Sequence, residues 1–136
     1  MRFLGFSFLF CFFISNAQME KHQWNERVLL IISKSDDNSI ATKQWESLLK
    51  NQKEIDDRKL VIYQIFPRYY RTSKDSLFQK NAELYTHFRK EKLGFQVILI
   101  GLDGGVKLRQ SKFLTPKKLF TIIDGMPMRK AEIRKN

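Results

Sequence analysis

VLLII, at residues 28–32, is a run of five apolar side chains, and Val28, Ile31 and Ile32 are β-branched. So short a run, with Arg27 before it and Ser33-Lys34-Ser35 after it, reads as a buried central strand. The segments on either side fit around that strand. Residues 34–38 (KSDDN) make a polar loop. Ser39 is placed to cap a helix whose apolar residues, Ala41, Trp45, Leu48 and Leu49, fall along one face. Glu46 and Lys50 form an i,i+4 pair on the opposite face.

A second, mostly apolar strand is expected at residues 59–66 (KLVIYQIF), and residues 67–74 then read as a loop centred on Arg68-Tyr69-Tyr70-Arg71. Ser76 and Gln79 have capping-box spacing for a helix carrying Leu77, Leu84, Tyr85 and Phe88, with Phe78 at its flank and Gly94 at its end. A third strand is expected at 95–100 (FQVILI). The turn signal Asp103-Gly104-Gly105 follows, and 106–109 (VKLR) alternates as an edge strand does. Thr115 and Pro116 start a last helix with Leu119, Phe120, Ile122 and Ile123 inward, and Gly125 ends it. The order β-α-β-α-β-β-α places the first two strands parallel with a right-handed crossover. The expectation is an α/β, thioredoxin-like domain: a mixed four-stranded sheet flanked by helices.

The first residues, MRFLGFSFLFCFFISNAQ, have a positive start at Arg2, an apolar run, and small residues at Ser15 and Ala17. This is the pattern of a cleaved signal peptide. A spanning helix needs about 20 apolar residues and this run has roughly a dozen, so a transmembrane span is not expected. Cys11 lies inside the run, without the small residues that usually precede a lipidated cysteine. The expected organisation is a signal peptide at 1–17, one domain at 18–128 and a basic tail at 129–136, in a protein that is periplasmic or extracellular.

Two further facts restrict the chemistry. Lys and Arg number 25 against 14 Asp and Glu, a formal charge of +11, and the leader removes only the charge of Arg2. So basic a domain is drawn to anionic surfaces. Outside the cytoplasm these are acidic proteins, acidic polysaccharides or anionic lipid surfaces; nucleic acid is not an expected partner. Cys11 is the one cysteine, so the mature chain has no thiol. The loop at 34–38, where a thioredoxin carries Cys-x-x-Cys, has no sulfur, and Lys92-Leu93-Gly94 stands where a proline usually precedes the third strand. A disulfide oxidoreductase and a thiol peroxidase are excluded. No zinc, phosphate-loop or nucleophile-elbow motif occurs, so no metal or cofactor is expected.

Several stretches also resemble a known family: Trp24-Asn25 with Arg27, Asp57-Arg58, residues 100–109 (IGLDGGVKLR), and the close of the domain at Leu119-Phe120, Ile123-Asp124 and Met126-Pro127-Met128-Arg129. They resemble the exported bacterial family called domain of unknown function 4174, which is similar to segments of vertebrate secreted matrix and sushi-repeat proteins. The resemblance covers nearly all of residues 22–134. It implies a thioredoxin-like fold and an exported location and supplies no reaction.

The candidate binding residues are Lys107, Arg109, Lys112 and Lys117, around the hairpin exit and the start of the last helix, with Arg68 and Arg71 as a second patch. The reading is a binding module for an acidic envelope partner or ligand. The alternative is a cysteine-independent enzyme using the first strand–helix loop, with Asp36 or Asp37 as acid, base or ligand. The bland reading of these two carboxylates is helix capping. Trp24 is expected to cover a sheet edge or core end. Arg27, Asp57, Arg58, Asp124 and Arg129 are expected as an ion-pair network at one end of the sheet.

Overall fold

The computed structural model describes residues 17–90 and 92–135. The expected signal peptide therefore lies outside the described residues, save for the backbone at its last position. The buried run of the sequence becomes β1 (Arg27–Ser33), with all seven residues buried. It is followed by α2 (Ser39–Leu49), α3 (Gln52–Asp57) and β2 (Leu60–Ile65), after a short first helix, α1 (Ala17–Glu20). Then come β3 (Tyr69–Thr72), β4 (Gln79–Lys80), α4 (Glu83–Phe88), β5 (Phe95–Ile100), β6 (Val106–Gln110), α5 (Pro116–Asp124) and α6 (Pro127–Lys135).

One mixed sheet runs in the order β4-β3-β2-β1-β5-β6. β1 and β2 are parallel, and the other neighbours are antiparallel. Because side chains alternate along a strand, β1 feeds two cores. Leu29 and Ile31 pack with Trp45 and Leu48 of α2, Ile55 of α3, and Leu119 and Ile123 of α5. Val28, Leu30 and Ile32 pack with Tyr63, Ile98 and Leu84 of α4. Helices on both faces account for the unbroken apolar run.

The sheet has six strands where the sequence suggested four. Of the extra pair, β3 comes from the segment read as a loop and β4 from the expected start of the next helix. Alternate residues of β3 face opposite sides: Tyr70 stacks on Tyr63 at 5.6 Å between ring centroids, while Arg71 Nε donates to Gln64 Oε1 at 2.7 Å. Gln79, expected inside a helix, instead pairs with Tyr70 in β4. The helix starts later, where Asn81 Oδ1 accepts from the N–H groups of Glu83 and Leu84. Leu77, expected on its buried stripe, is 74 % exposed. α4 also ends early, because Arg89 turns extended, so Gly94 is not its cap.

Other local signals act as expected or one residue away. Asn38, not Ser39, caps α2 by accepting from the N–H of Ala41. Thr115 caps α5, accepting from Lys118, with Pro116 in first position. Gly104 has φ +82, the left-handed conformation that the hairpin turn requires. Trp24 is 63 % exposed and so covers no edge. The residues expected as a tail continue α6, in which Arg129 is buried.

His22 is buried, with Nε2 2.7 Å from the Tyr63 hydroxyl and Nδ1 2.8 Å from Glu26. Gln18 Nε2 donates to the same hydroxyl at 3.0 Å. Burial pushes the Tyr63 phenol up to about 12. The unfolded chain ionises near its ordinary value of 10.0. The stability that Tyr63 contributes is therefore complete below about pH 10 and is lost as pH rises from about 10 towards 12. Urea unfolding at about pH 9 and pH 11 should show a loss in the native protein that Tyr63→Phe lacks; equal losses in both would assign it to other groups.

Candidate functional site

The strands give the sheet two unlike ends. At the upper end β1, β2 and β6 finish and β5 begins, so residues 34–38, 66–68, 89–90, 92–94 and 111–115 emerge there, and α2 and α5 start there. At the lower end β1 and β2 begin.

All ion pairs among the described residues lie towards the lower end. Arg58 holds Asp124 through Nε at 3.1 Å and Nη2 at 2.8 Å, and Glu54 at 2.7 Å. Arg129 holds Asp124 at 3.1 Å and Asp57 at 2.6 Å. Arg27, the first residue of β1, holds both oxygens of Glu132 at 3.2 and 3.3 Å. Burial by itself raises the Asp124 carboxyl, but the hydrogen bonds from Arg58 and Arg129 outweigh it and hold the group below its ordinary value. All five expected network residues are together here, joined by Glu54 and Glu132. Lys74 and His22 engage Glu26, and Lys107 engages Asp103 at 2.9 Å. The hydrogen bonds from Lys107 and from the Gly105 N–H lower the Asp103 carboxyl.

With those acids engaged below, the upper end keeps cations without carboxylate partners among the described residues. Two clefts open there, one on each side of the 34–38 loop. The first, about 500 Å³, lies on the α2 face and is lined by Asp36, Thr42, Gln64, Phe66, Tyr69, Arg71, Phe78, Gln79 and Lys80. In it the Arg71 guanidinium sits 4.5 Å from the Trp45 ring and 4.8 Å from the Phe78 ring. Burial lowers its pKa, which still leaves an arginine cationic. The second, about 300 Å³, lies on the α4 face and is lined by Lys34, Tyr85, Arg89, Lys90, Lys92, Leu93 and Gly94. Glu91 lies between two of these cations in the chain and outside the described residues.

The candidate residues separate accordingly. Arg71 and Asp36 line one cleft, although they come from the two different sites expected. Arg68 is exposed in the upper segment beside them. Lys112 and Lys117 are exposed at the upper end, at the start of α5. Arg109 pairs in register with Ile98 and so faces α4, where Nη1 donates to the Phe88 carbonyl at 3.3 Å. Lys107 is at the lower end with Asp103. Asp36 accepts from the Tyr69 hydroxyl at 2.8 Å, and Asp37 accepts from the Ser35 hydroxyl. Neither caps α2. The Tyr69 phenol is raised first by its bond to Asp36. Among the described residues no group of three His, Cys, Asp or Glu could hold a metal ion, and no helix is long and apolar enough to cross a membrane.

The family profile described as domain of unknown function (DUF4174) matches residues 18–132, from α1 through most of α6. The chain belongs to this family. No curated protein matches it. Both upper-end clefts of this DUF4174 chain lie inside the matched residues.

Sequence reasoning missed Lys34, Lys80, Arg89, Lys90 and Lys92, and the aromatic residues Phe66 and Phe78. The available signal was the charged run at 89–92, but charge runs are usually solvated faces, and nothing local says that Tyr85 and Lys34 join it. Trp45 was legible as a core residue only; its contact with Arg71 arises where α2 packs over β3 on one face of the sheet.

Proposed function

We propose that this DUF4174 chain is an exported, thioredoxin-like binding module without redox cysteines, and that it recognises an acidic partner through the upper end of its sheet. The carrying observation is the uneven placement of charge: Glu54, Asp57 and Asp124 are engaged in lower-end ion pairs, while cations gather around two upper clefts whose described lining holds one carboxylate, Asp36. Gathering like charges costs energy unless water or an anion screens them, so the arrangement favours an anionic occupant. The thioredoxin-like reading is supported by the strand order β2-β1-β5-β6, with the β3–β4 pair added at one edge. Export, and a periplasmic or extracellular location, rest on the pattern of residues 1–17.

The test compares two charge-reversal variants of equal net charge. One carries Lys34, Lys90 and Lys92→Glu at the upper end; the other carries Lys21, Lys53 and Lys130→Glu below. Each is titrated with phosphatidylglycerol vesicles, a sulfated polysaccharide and polyglutamate at low and high salt. The expected result is a loss of about tenfold or more for the upper variant, a small loss for the lower one, and weakening by salt in every case. The strongest of the three probes identifies the partner class. Equal losses in the two variants would mean that net charge alone is at work, and would overturn the proposal.

A further inference from the structure

Arg71 is built differently from the other upper cations. Its guanidinium carbon contacts the rings of both Trp45 and Phe78, and its Nε is tied to Gln64 on the neighbouring strand. Register pairing of Gln64 with Arg71 fixes the backbone beneath it. The hydrogen bond uses the stem of the group at Nε. Its two terminal nitrogens make no hydrogen bond among the described residues, and Arg71 is part of the lining of an open cleft. A guanidinium fixed in this way offers a planar fork that loses little freedom when it meets a planar oxyanion.

The walls narrow the choice of ligand. Phe66, Tyr69 and Phe78 contact one another at 5.1 to 5.9 Å between centroids, and Phe78 is half exposed. They make an aromatic surface next to the fork, suited to a flat apolar body. Charge narrows it again. Arg71 and Lys80 are opposed at the rim by Asp36, which Tyr69 anchors. The balance is one positive charge. A carboxylate satisfies it, whereas a phosphate dianion sets its second charge against Asp36.

We propose that the α2-face cleft binds a carboxylate carried on an aromatic or similarly flat apolar group. This rests on the reading of the upper end as the binding surface and adds the class of ligand. Arg71 is then the oxyanion-binding residue, Tyr69 and Phe78 hold the carrier with Phe66 buried behind them, and Asp36 selects against doubly charged ligands.

The experiment is calorimetric titration of the protein with 3-phenylpropionate, with its neutral amide and with inorganic phosphate, at low ionic strength. The carboxylate should bind saturably with a Kd of about 1 mM, and the amide and phosphate at least about tenfold more weakly. Arg71→Lys keeps the charge but loses the fork, and should weaken the carboxylate about tenfold. Asp36→Asn should strengthen phosphate. It stands as the second test if Arg71 variants unfold, which thermal melts will show. Phosphate binding as tightly as the carboxylate, an unchanged Arg71→Lys, or an Asp36→Asn without effect on phosphate would each overturn the assignment. Absence of 3-phenylpropionate binding alongside intact vesicle or polyanion binding would overturn it alone and leave the wider reading standing. Loss of both would overturn both.

Discussion

Replacing Gln44 by leucine is expected to lower the stability of the fold by about 2–4 kcal/mol. Gln44 is fully buried on α2 and clamps the segment before α5 from both sides. Its Nε2 donates to the Leu114 carbonyl at 2.8 Å, and its Oε1 accepts from the Leu114 N–H at 2.7 Å. Leucine has nearly the same size, so no large cavity results. What remains are two backbone groups of a buried residue without partners, each costing about 1–3 kcal/mol. Chemical denaturation should show the midpoint falling while its slope stays constant. A loss below about 1 kcal/mol would mean that water reaches the Leu114 backbone, and would remove Gln44 from the residues that hold the upper end together. Ordinary helical reading passes over Gln44 because it interrupts the apolar stripe. Its partner lies seventy positions away in the chain.

The second large effect is expected at Glu132→Ala. Arg27 is 1 % exposed, and Glu132 supplies the carboxylate that both of its terminal nitrogens meet. Removing that carboxylate leaves a buried cation whose remaining partner is the Arg58 carbonyl at 2.8 Å. Losing one member of a buried pair costs about 3 kcal/mol, or roughly 10 °C in the thermal midpoint of a domain this size. Lys74→Ala, at an exposed pair with Glu26, should cost under about 1 kcal/mol. The double change Arg27→Met with Glu132→Leu removes both charges and should recover most of the loss. If the double variant is as unstable as Glu132→Ala, packing of α6 and not charge compensation explains the effect. Either way the measurement settles whether the residues read as a tail are part of the folded unit.

Both effects arise where distant segments meet, and the same distinction separates what was legible from what was not. The three apolar strands were readable because burial on both faces leaves a nearly continuous apolar run, unbroken at 28–32 and interrupted only by Gln64 in 60–65 and by Gln96 in 95–100. The hairpin at Gly104 and the start of α5 at Thr115 and Pro116 were readable because backbone chemistry there acts within four residues. The β3–β4 pair was not. Its residues are polar or aromatic, and a strand at the side of a sheet is recognised by its partner, not by its composition. The capping-box spacing of Ser76 and Gln79 was a local signal overruled by that pairing.

The absence of cysteine from residues 12–136 was determined by the sequence alone, since no arrangement of residues supplies a missing sulfur. The excess of positive charge was likewise a matter of counting. Its distribution was decided only by the tertiary structure. Lys107 and Arg109 are neighbours on one strand, yet the first is held by Asp103 at the lower end and the second faces α4. Asp36 and Arg71 lie far apart in the chain and share a cleft. Charge is a property of each residue, but a cleft and a free guanidinium fork are properties of which strands lie side by side, and that order emerges only when both faces of the sheet are buried together.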